Sequence, residues 1–148
     1  MDSQDVPRVV LDTNALLDWL VFRHPACQAW EGWFREGRVQ WVASSTLQDE
    51  WLHVLSRGVG ARYQPDSQTL LGAWSALPKL LPPPSVPARV PRCSDADDQK
   101  FVDLAVGAQA RWLVTRDKAV LKLKRRLAAW GVEPVTPERW TADLSSAR

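Results

Sequence analysis

Short apolar runs recur along this chain at Arg8–Leu11, Val39–Ala43, Trp112–Thr115 and Val132–Thr136, with helix-length segments between most of them. Runs of this length, rich in Val and aromatic residues, read as strands. Strands alternating with helices imply a parallel sheet covered on both faces, because each crossover lays a helix against the sheet. The expected fold class is therefore α/β, a sandwich with a central parallel sheet flanked by helices. In such sheets a site lies outside the carboxyl ends of the strands. The first run ends there in a carboxylate. Val9-Val10-Leu11 stops at Asp12, and a new apolar stretch starts at Ala15. Asp117 follows Trp112–Thr115 in the same way.

The helices expected between the strands are Ala15–Phe22, Pro25–Glu36 (opened by its proline), a helix capped by Ser44-Ser45 and running to about Ser56, Gln68–Leu81, Asp97–Ala110 and the basic stretch Lys118–Trp130. Gly131 is a helix stop, and a short helix follows Pro137. The stretch RGVGARYQPDS reads as a loop. Pro82–Pro91 cannot be helical and reads as a stiff extended connector. Neither flank of that connector is long enough for a good core of its own. The 148 residues are therefore expected to form one domain, with its core over about 8–140.

A formal charge of +2 neither demands nor excludes a nucleic-acid partner. There is no basic-plus-apolar leader, and no run approaches the roughly 18 apolar residues of a membrane span, so no membrane partner and a cytoplasmic location are expected. Cys27 and Cys93 lie far apart without metal-ligand spacing, and free thiols are the main expectation.

Two helices carry a carboxylate on the apolar face. In STLQDEWLHVLSR the apolar stripe is Leu47, Trp51, Val54 and Leu55, and Glu50 lies on it while Asp49 faces elsewhere. In DDQKFVDLAVGA, Asp98 continues the face of Phe101, Val102 and Ala105 at the first helical turn. Each acid alone has an ordinary explanation as a helix cap or a salt bridge to Lys or Arg. Asp12, Glu50, Asp98 and Asp117 together are harder to explain so. At about 5 Å and an effective dielectric of about 20, two carboxylates repel by roughly 3 kcal/mol. Several converging carboxylates need a cation, and all-oxygen ligands suit Mg²⁺ or Mn²⁺. Thr13 and Asn14 would then hold the Asp12 carboxylate and the helix start. Two other carboxylate-bearing sheet folds fit poorly. A receiver domain needs paired acids after its first strand and an acceptor Asp after a middle strand, and a dehalogenase-type phosphatase needs D-x-D where this chain has DTN.

The segments VVLDTNALL, SSTLQDEWLHVLSR and CSDADDQKFVDLAVGAQARWLVTRDKAVL resemble the successive motifs of PIN domains, most closely the bacterial group of toxin components related to VapC-type toxins. The resemblance spans about Val9 to Pro137. It implies an α/β sandwich with a parallel sheet and metal-dependent cleavage of RNA, with an acidic quartet on Asp12, Glu50, Asp98 and Asp117. The run C-x-D-x-x-D-x-K-F favours Asp98 over Asp97 as ligand, with Asp95 assisting. Asp103 matches another commonly acidic position but is off the Asp98 face. Thr115 matches the hydroxyl residue of a T-x-D motif and would hold a water or Asp117. The implied chemistry is attack by water, leaving 5′-phosphate and 3′-hydroxyl ends, with a carboxylate such as Glu50 steering the water. His24 and His53 offer no pair for cleavage through the 2′-hydroxyl.

Arg116 and Lys118 border the expected site and are candidate RNA-phosphate ligands. The later cations of RDKAVLKLKRR read first as a solvated helix face. Nine tryptophans are unusual. Trp41, Trp51 and Trp112 belong to core-facing elements, whereas Trp19, Phe22, Trp30, Trp33 and Phe34 crowd two short helices; some of these are core, and so many large rings could still leave an exposed aromatic patch. In toxins of the resembled group, an antitoxin encoded next to the toxin, or a second copy of the chain in a homodimer, covers such a surface. The different-class alternative is a PIN fold that binds RNA or protein without cutting.

Overall fold

The computed structural model describes residues 6–58, 72–73 and 76–146. Its strands are β1 (Arg8–Leu11), β2 (Gln40–Ser44), β3 (Lys79–Leu81), β4 (Trp112–Val114) and β5 (Glu133–Val135). They form one five-stranded, all-parallel sheet of order β3-β2-β1-β4-β5. Val9 pairs with Trp41 on one side and Trp112 on the other. The helices are α1 (Thr13–Leu16), α2 (Trp30–Arg35), α3 (Ser45–Ser56), α4 (Gln99–Gly107), α5 (Lys118–Leu121), α6 (Lys124–Ala128) and α7 (Pro137–Ser146).

Side chains alternate across each strand, so the sheet feeds two cores. Val9 and Leu11 join Trp41, Ala43, Trp112 and Val114 under α1, α2 and α7. Val10, Val42 and Leu113 face Phe101, Val102 and Ala105 of α4 and Leu127 of α6. The expected sandwich of helices on a parallel sheet is what forms. The chain runs outward from β1 to β2 and β3, then returns to place β4 on the other side of β1. The strand order therefore reverses between β1 and β4, which opens a crevice beyond their carboxyl ends.

Local chemistry refined several elements. α1 starts at Thr13 because Asp12 accepts the Ala15 N–H as N-cap, and it widens into a π turn over Leu17–Val21. The stretch from Pro25 to Glu36 breaks into a 3₁₀ turn, Pro25–Cys27, and α2. The basic stretch likewise divides into α5 and α6, and a 3₁₀ turn at Ala96–Asp98 precedes α4. Much of the loop RGVGARYQPDS and of the helix expected over Gln68–Leu81 lies outside the described residues. The end of that helix is corrected: Lys79–Leu81 is an edge strand paired with Val42–Ser44, since Pro78 removes a donor and stops helix there. Pro82–Pro91 is the extended connector expected.

The aromatic patch is also corrected. Trp19, Trp30 and Trp33 are buried. Trp19 packs against Trp30, Phe34 and Trp41, and Trp30 and Trp33 are covered by α7, whose Trp140 is fully buried with its ring centroid 5.2 Å from Trp30, 5.5 Å from Trp33 and 5.8 Å from Trp112. Trp30 Nε1 donates to Thr141 Oγ1, which donates to the Ala26 carbonyl, pinning the helix down. Only Leu20, Phe22 and Phe34 remain partly buried at this core's edge near the first helices. Among the described residues no helix is long and apolar enough to cross a membrane.

Candidate active site

The acids gather at the crevice between β1 and β4. Asp12 leaves β1 and is only 4% exposed. Its Oδ1 accepts the Ala15 N–H at 2.8 Å and its Oδ2 accepts the Thr115 hydroxyl at 2.6 Å. Thr115 Oγ1 in turn accepts the Asp117 N–H at 3.0 Å. One hydroxyl thus ties the ends of β1 and β4 together. Burial pushes the Asp12 carboxyl up to about 6, and the neighbouring Asp117 and Asp18 charges add to the rise, against the lowering by the two hydrogen bonds.

Asp117 caps α5 by accepting the Ala119 N–H at 2.8 Å. Asp95 caps the 3₁₀ turn by accepting the Asp97 N–H at 3.0 Å. Capping occupies one oxygen of each carboxylate and leaves another available. One carboxylate oxygen each from Asp95, Asp98 and Asp117 lie within 4.8 Å of one another. Asp98 Oδ2 is sealed from solvent and has no hydrogen-bond donor. Burial pushes the Asp98 carboxyl well up, with Asp117 beside it as the next cause. The same contact holds Asp117 below the usual carboxylate range, helped by the Ala119 N–H. The two carboxyls therefore pull each other's titration apart, as close carboxyls do. Asp97 is exposed and is not one of the three converging carboxylates.

Glu50 lies on the inward side of α3, as its place on the apolar stripe predicts, but it has found a countercharge. It forms an ion pair with Lys100 of α4 and accepts the Thr13 hydroxyl. The ordinary salt-bridge explanation thus describes Glu50 in this structure. Thr13, to which it is bonded, is the residue next to Asp12, but Glu50 is not among the carboxylates that converge on one another, and neither is Asp12. Thr13 holds Glu50 and not Asp12, and Asn14 is exposed; the Asp12 carboxylate is held instead by Ala15 and Thr115. Asp103 accepts from Gln99 Nε2 at 2.9 Å, within a bracket in which Gln99 also bonds Pro91 and Cys93. His53 is exposed.

The two cations expected at phosphate differ. Lys118 is exposed beside Asp117 and begins a surface of Lys122, Lys124, Arg125 and Arg126, all exposed. Arg116 is committed elsewhere. Its guanidinium donates to both Glu138 oxygens at 2.9 and 2.6 Å and to Asp18 Oδ2 at 2.6 Å. The Glu138 contact, first, and Asp18 hold Arg116 more firmly protonated than an ordinary arginine. Lys100, Asp18 and Glu138 escaped the sequence reading because their partners are remote in sequence; the Lys100 position was visible only as part of the C-x-D-x-x-D-x-K-F run. Cys27 and Cys93 are free. Burial pushes the Cys27 thiol up to about 12, so it carries no nucleophile at neutral pH.

The donor set fits a hard divalent cation: three carboxylates at the spacing of shared ligands, one oxygen sealed away without a donor, and no sulfur or imidazole among them. No curated protein matches the chain. A family model described as PIN domain matches residues 8–119 of the 148, a stretch that runs from β1 into α5 and takes in every acid of the cluster. Members of that family are in general nucleases. The chain belongs to the PIN domain family.

Proposed function

We propose that this chain is a Mg²⁺- or Mn²⁺-dependent endoribonuclease and the toxin of a toxin–antitoxin pair. The observation that carries the reading is the convergence of one carboxylate oxygen each from Asp95, Asp98 and Asp117 to within 4.8 Å, with Asp98 Oδ2 sealed from solvent and without a donor. Asp95, Asp98 and Asp117 would hold the ion, with Asp12 alongside. Such an ion, when bound, activates water and neutralises a scissile phosphate. The chain's own residues do the rest. Thr115 and the Ala15 N–H fix Asp12 so that it cannot swing away from the crevice. Glu50, steadied by Lys100 and Thr13, is the carboxylate that orients the attacking water and takes its proton. Lys118 and the exposed cations beyond it draw the RNA backbone towards the crevice. Water attack leaves a 5′-phosphate and a 3′-hydroxyl.

The toxin role follows the resemblance to toxin components: a free intracellular ribonuclease arrests its host, so a cognate antitoxin encoded next to it is the expected partner. Expression of the chain alone should slow growth. Asp12→Asn, or co-expression of the neighbouring small reading frame, should relieve it. The purified chain should cut RNA in Mn²⁺ and not in chelator, with 5′-phosphate ends in the sequenced products. Wild-type and Asp12→Asn chains that are equally harmless, with no metal-dependent cleavage of any RNA, would favour the non-catalytic PIN-fold binding module.

A further inference from the structure

Arg116 stands between the two residues that build the β4 side of the crevice, Thr115 and Asp117, yet its side chain leaves in the opposite direction. It meets Glu138 through a two-pronged contact at 2.9 and 2.6 Å and Asp18 at 2.6 Å. Asp18 belongs to the π turn that continues α1. Glu138 belongs to the first turn of α7 and lies beyond the stretch matched by the family model. Glu138 also stands 3.5 Å from His24 Nε2. A planar guanidinium held by a fork on one side and a single carboxylate on the other has little rotational freedom left.

We propose that Arg116 is a positioning residue: with Asp18 and Glu138 it clamps the turn after β4 and so sets where the Asp117 carboxylate stands relative to Asp98. The inference rests on Asp117 serving the proposed metal site, and it replaces a phosphate-binding role for Arg116. The turn is held from both sides. Thr115 Oγ1 ties it to Asp12 on the crevice side, and Arg116 ties it to α7 on the other. With only three residues between β4 and α5, a displacement of Arg116 passes directly to Asp117. The clamp also gives α7 a part in the site although α7 contributes no ligand.

The test separates positioning from phosphate binding. In Arg116→Ala and in Glu138→Gln, Mn²⁺ affinity measured by titration calorimetry should fall by about tenfold, the lower end of what loss of a ligand's supporting partner costs. In Arg116→Ala/Glu138→Gln the loss should be no greater than in Arg116→Ala alone, because both variants break one device. Arg116→Lys keeps the charge and loses the fork, and should recover only part of the affinity. Cleavage by Glu138→Gln should show a lower kcat at unchanged KM. Were Arg116 a phosphate ligand, Glu138→Gln would free it and lower KM, and metal affinity would not move; that result overturns the proposal. Glu138 is exposed, so its amide variant keeps the fold if Arg116→Ala does not. Amide exchange supplies a readout independent of metal and of RNA: the Asp117 and Ala119 N–H groups should exchange faster in Glu138→Gln while Leu113 in β4 does not. If the wild-type chain bound no Mn²⁺, the function reading would fail while this exchange difference still decided the clamp, and unchanged exchange would overturn it.

Discussion

Three of the four aspartates at the crevice also serve the backbone at the level of single atoms. Asp12, Asp95 and Asp117 all satisfy orphan N–H groups at helix or turn starts, as short acidic residues do. Asp98 has no such partner, and its Oδ2 is the atom left without one. The Asp98→Asn chain should therefore lose the rise in melting temperature that Mn²⁺ gives the wild type, whereas Asp97→Asn, at an exposed position, should keep it. That rise reflects about 2.7 kcal/mol when metal is at 100 times its dissociation constant. Equal shifts in the two variants would place the ligand elsewhere. Asp12 gives a second outcome in chelator. Its carboxyl titrates near 6 in the folded chain against 3.8 in the unfolded, so the folded state holds the proton more tightly. Stability without metal should fall as pH rises from about 4 to about 7, by roughly 3 kcal/mol from this residue alone. Asp117, held below the ordinary range, acts in the other direction and only at lower pH. Asp98, also pushed up by burial, adds to the fall in the same direction. Urea midpoints at pH 5 and 7.5 should order accordingly, and Asp12→Asn should narrow the difference without abolishing it; a wild-type midpoint higher at pH 7.5 would contradict the burial cost.

At the level of elements, the connector Pro82–Pro91 is a strap whose position is set by one glycine. A Cβ placed on Gly107, at the end of α4, would stand 2.5 Å from Pro84 Cβ. Gly to Ala in a helix ordinarily stabilises by about 0.5–1 kcal/mol. Here Gly107→Ala should instead destabilise by about 1–3 kcal/mol, the cost of overpacking. Combining it with Pro84→Gly, which removes the opposing carbon, should recover much of that loss. Chemical denaturation of the single and double variants checks the pair. Additive losses would mean that the cost of Gly107→Ala does not arise at Pro84, and no loss in Gly107→Ala would mean that the strap yields freely.

For the molecule as a whole, the tryptophan core decides how the C-terminal helix relates to the rest. Trp140 touches rings from α2 and β4 and closes a surface that Trp30 and Trp33 would otherwise expose. Trp140→Ala should cost about 3–5 kcal/mol, read from the urea midpoint. Polar replacements at Trp19, Trp30 or Trp33 should unfold the chain and not selectively weaken a partner's grip, which moves any antitoxin surface away from those three rings. A Trp140→Ala chain of unchanged stability would show that α7 is dispensable to this core.

The alternation of apolar runs with helix-length segments determined the parallel sheet, because period and composition are local properties that tertiary contacts had no reason to override. The strand ends at Asp12 and Thr115 were legible for the same reason, and so was the inward side of α3 at Glu50. Element details were less so: the π turn after α1 and the edge strand Lys79–Leu81 depend on what packs and pairs beside them. The partners of charged groups were decided by tertiary structure alone. Glu50 meets Lys100 and Arg116 meets Asp18 and Glu138 across long stretches of chain, and a spacing rule reaches only a few residues. The same limit governs the tryptophans. Their number announced a large apolar surface, but whether it is bare or covered depended on where Pro137–Ser146 comes to rest, and that is settled by the three-dimensional return of the chain after β5.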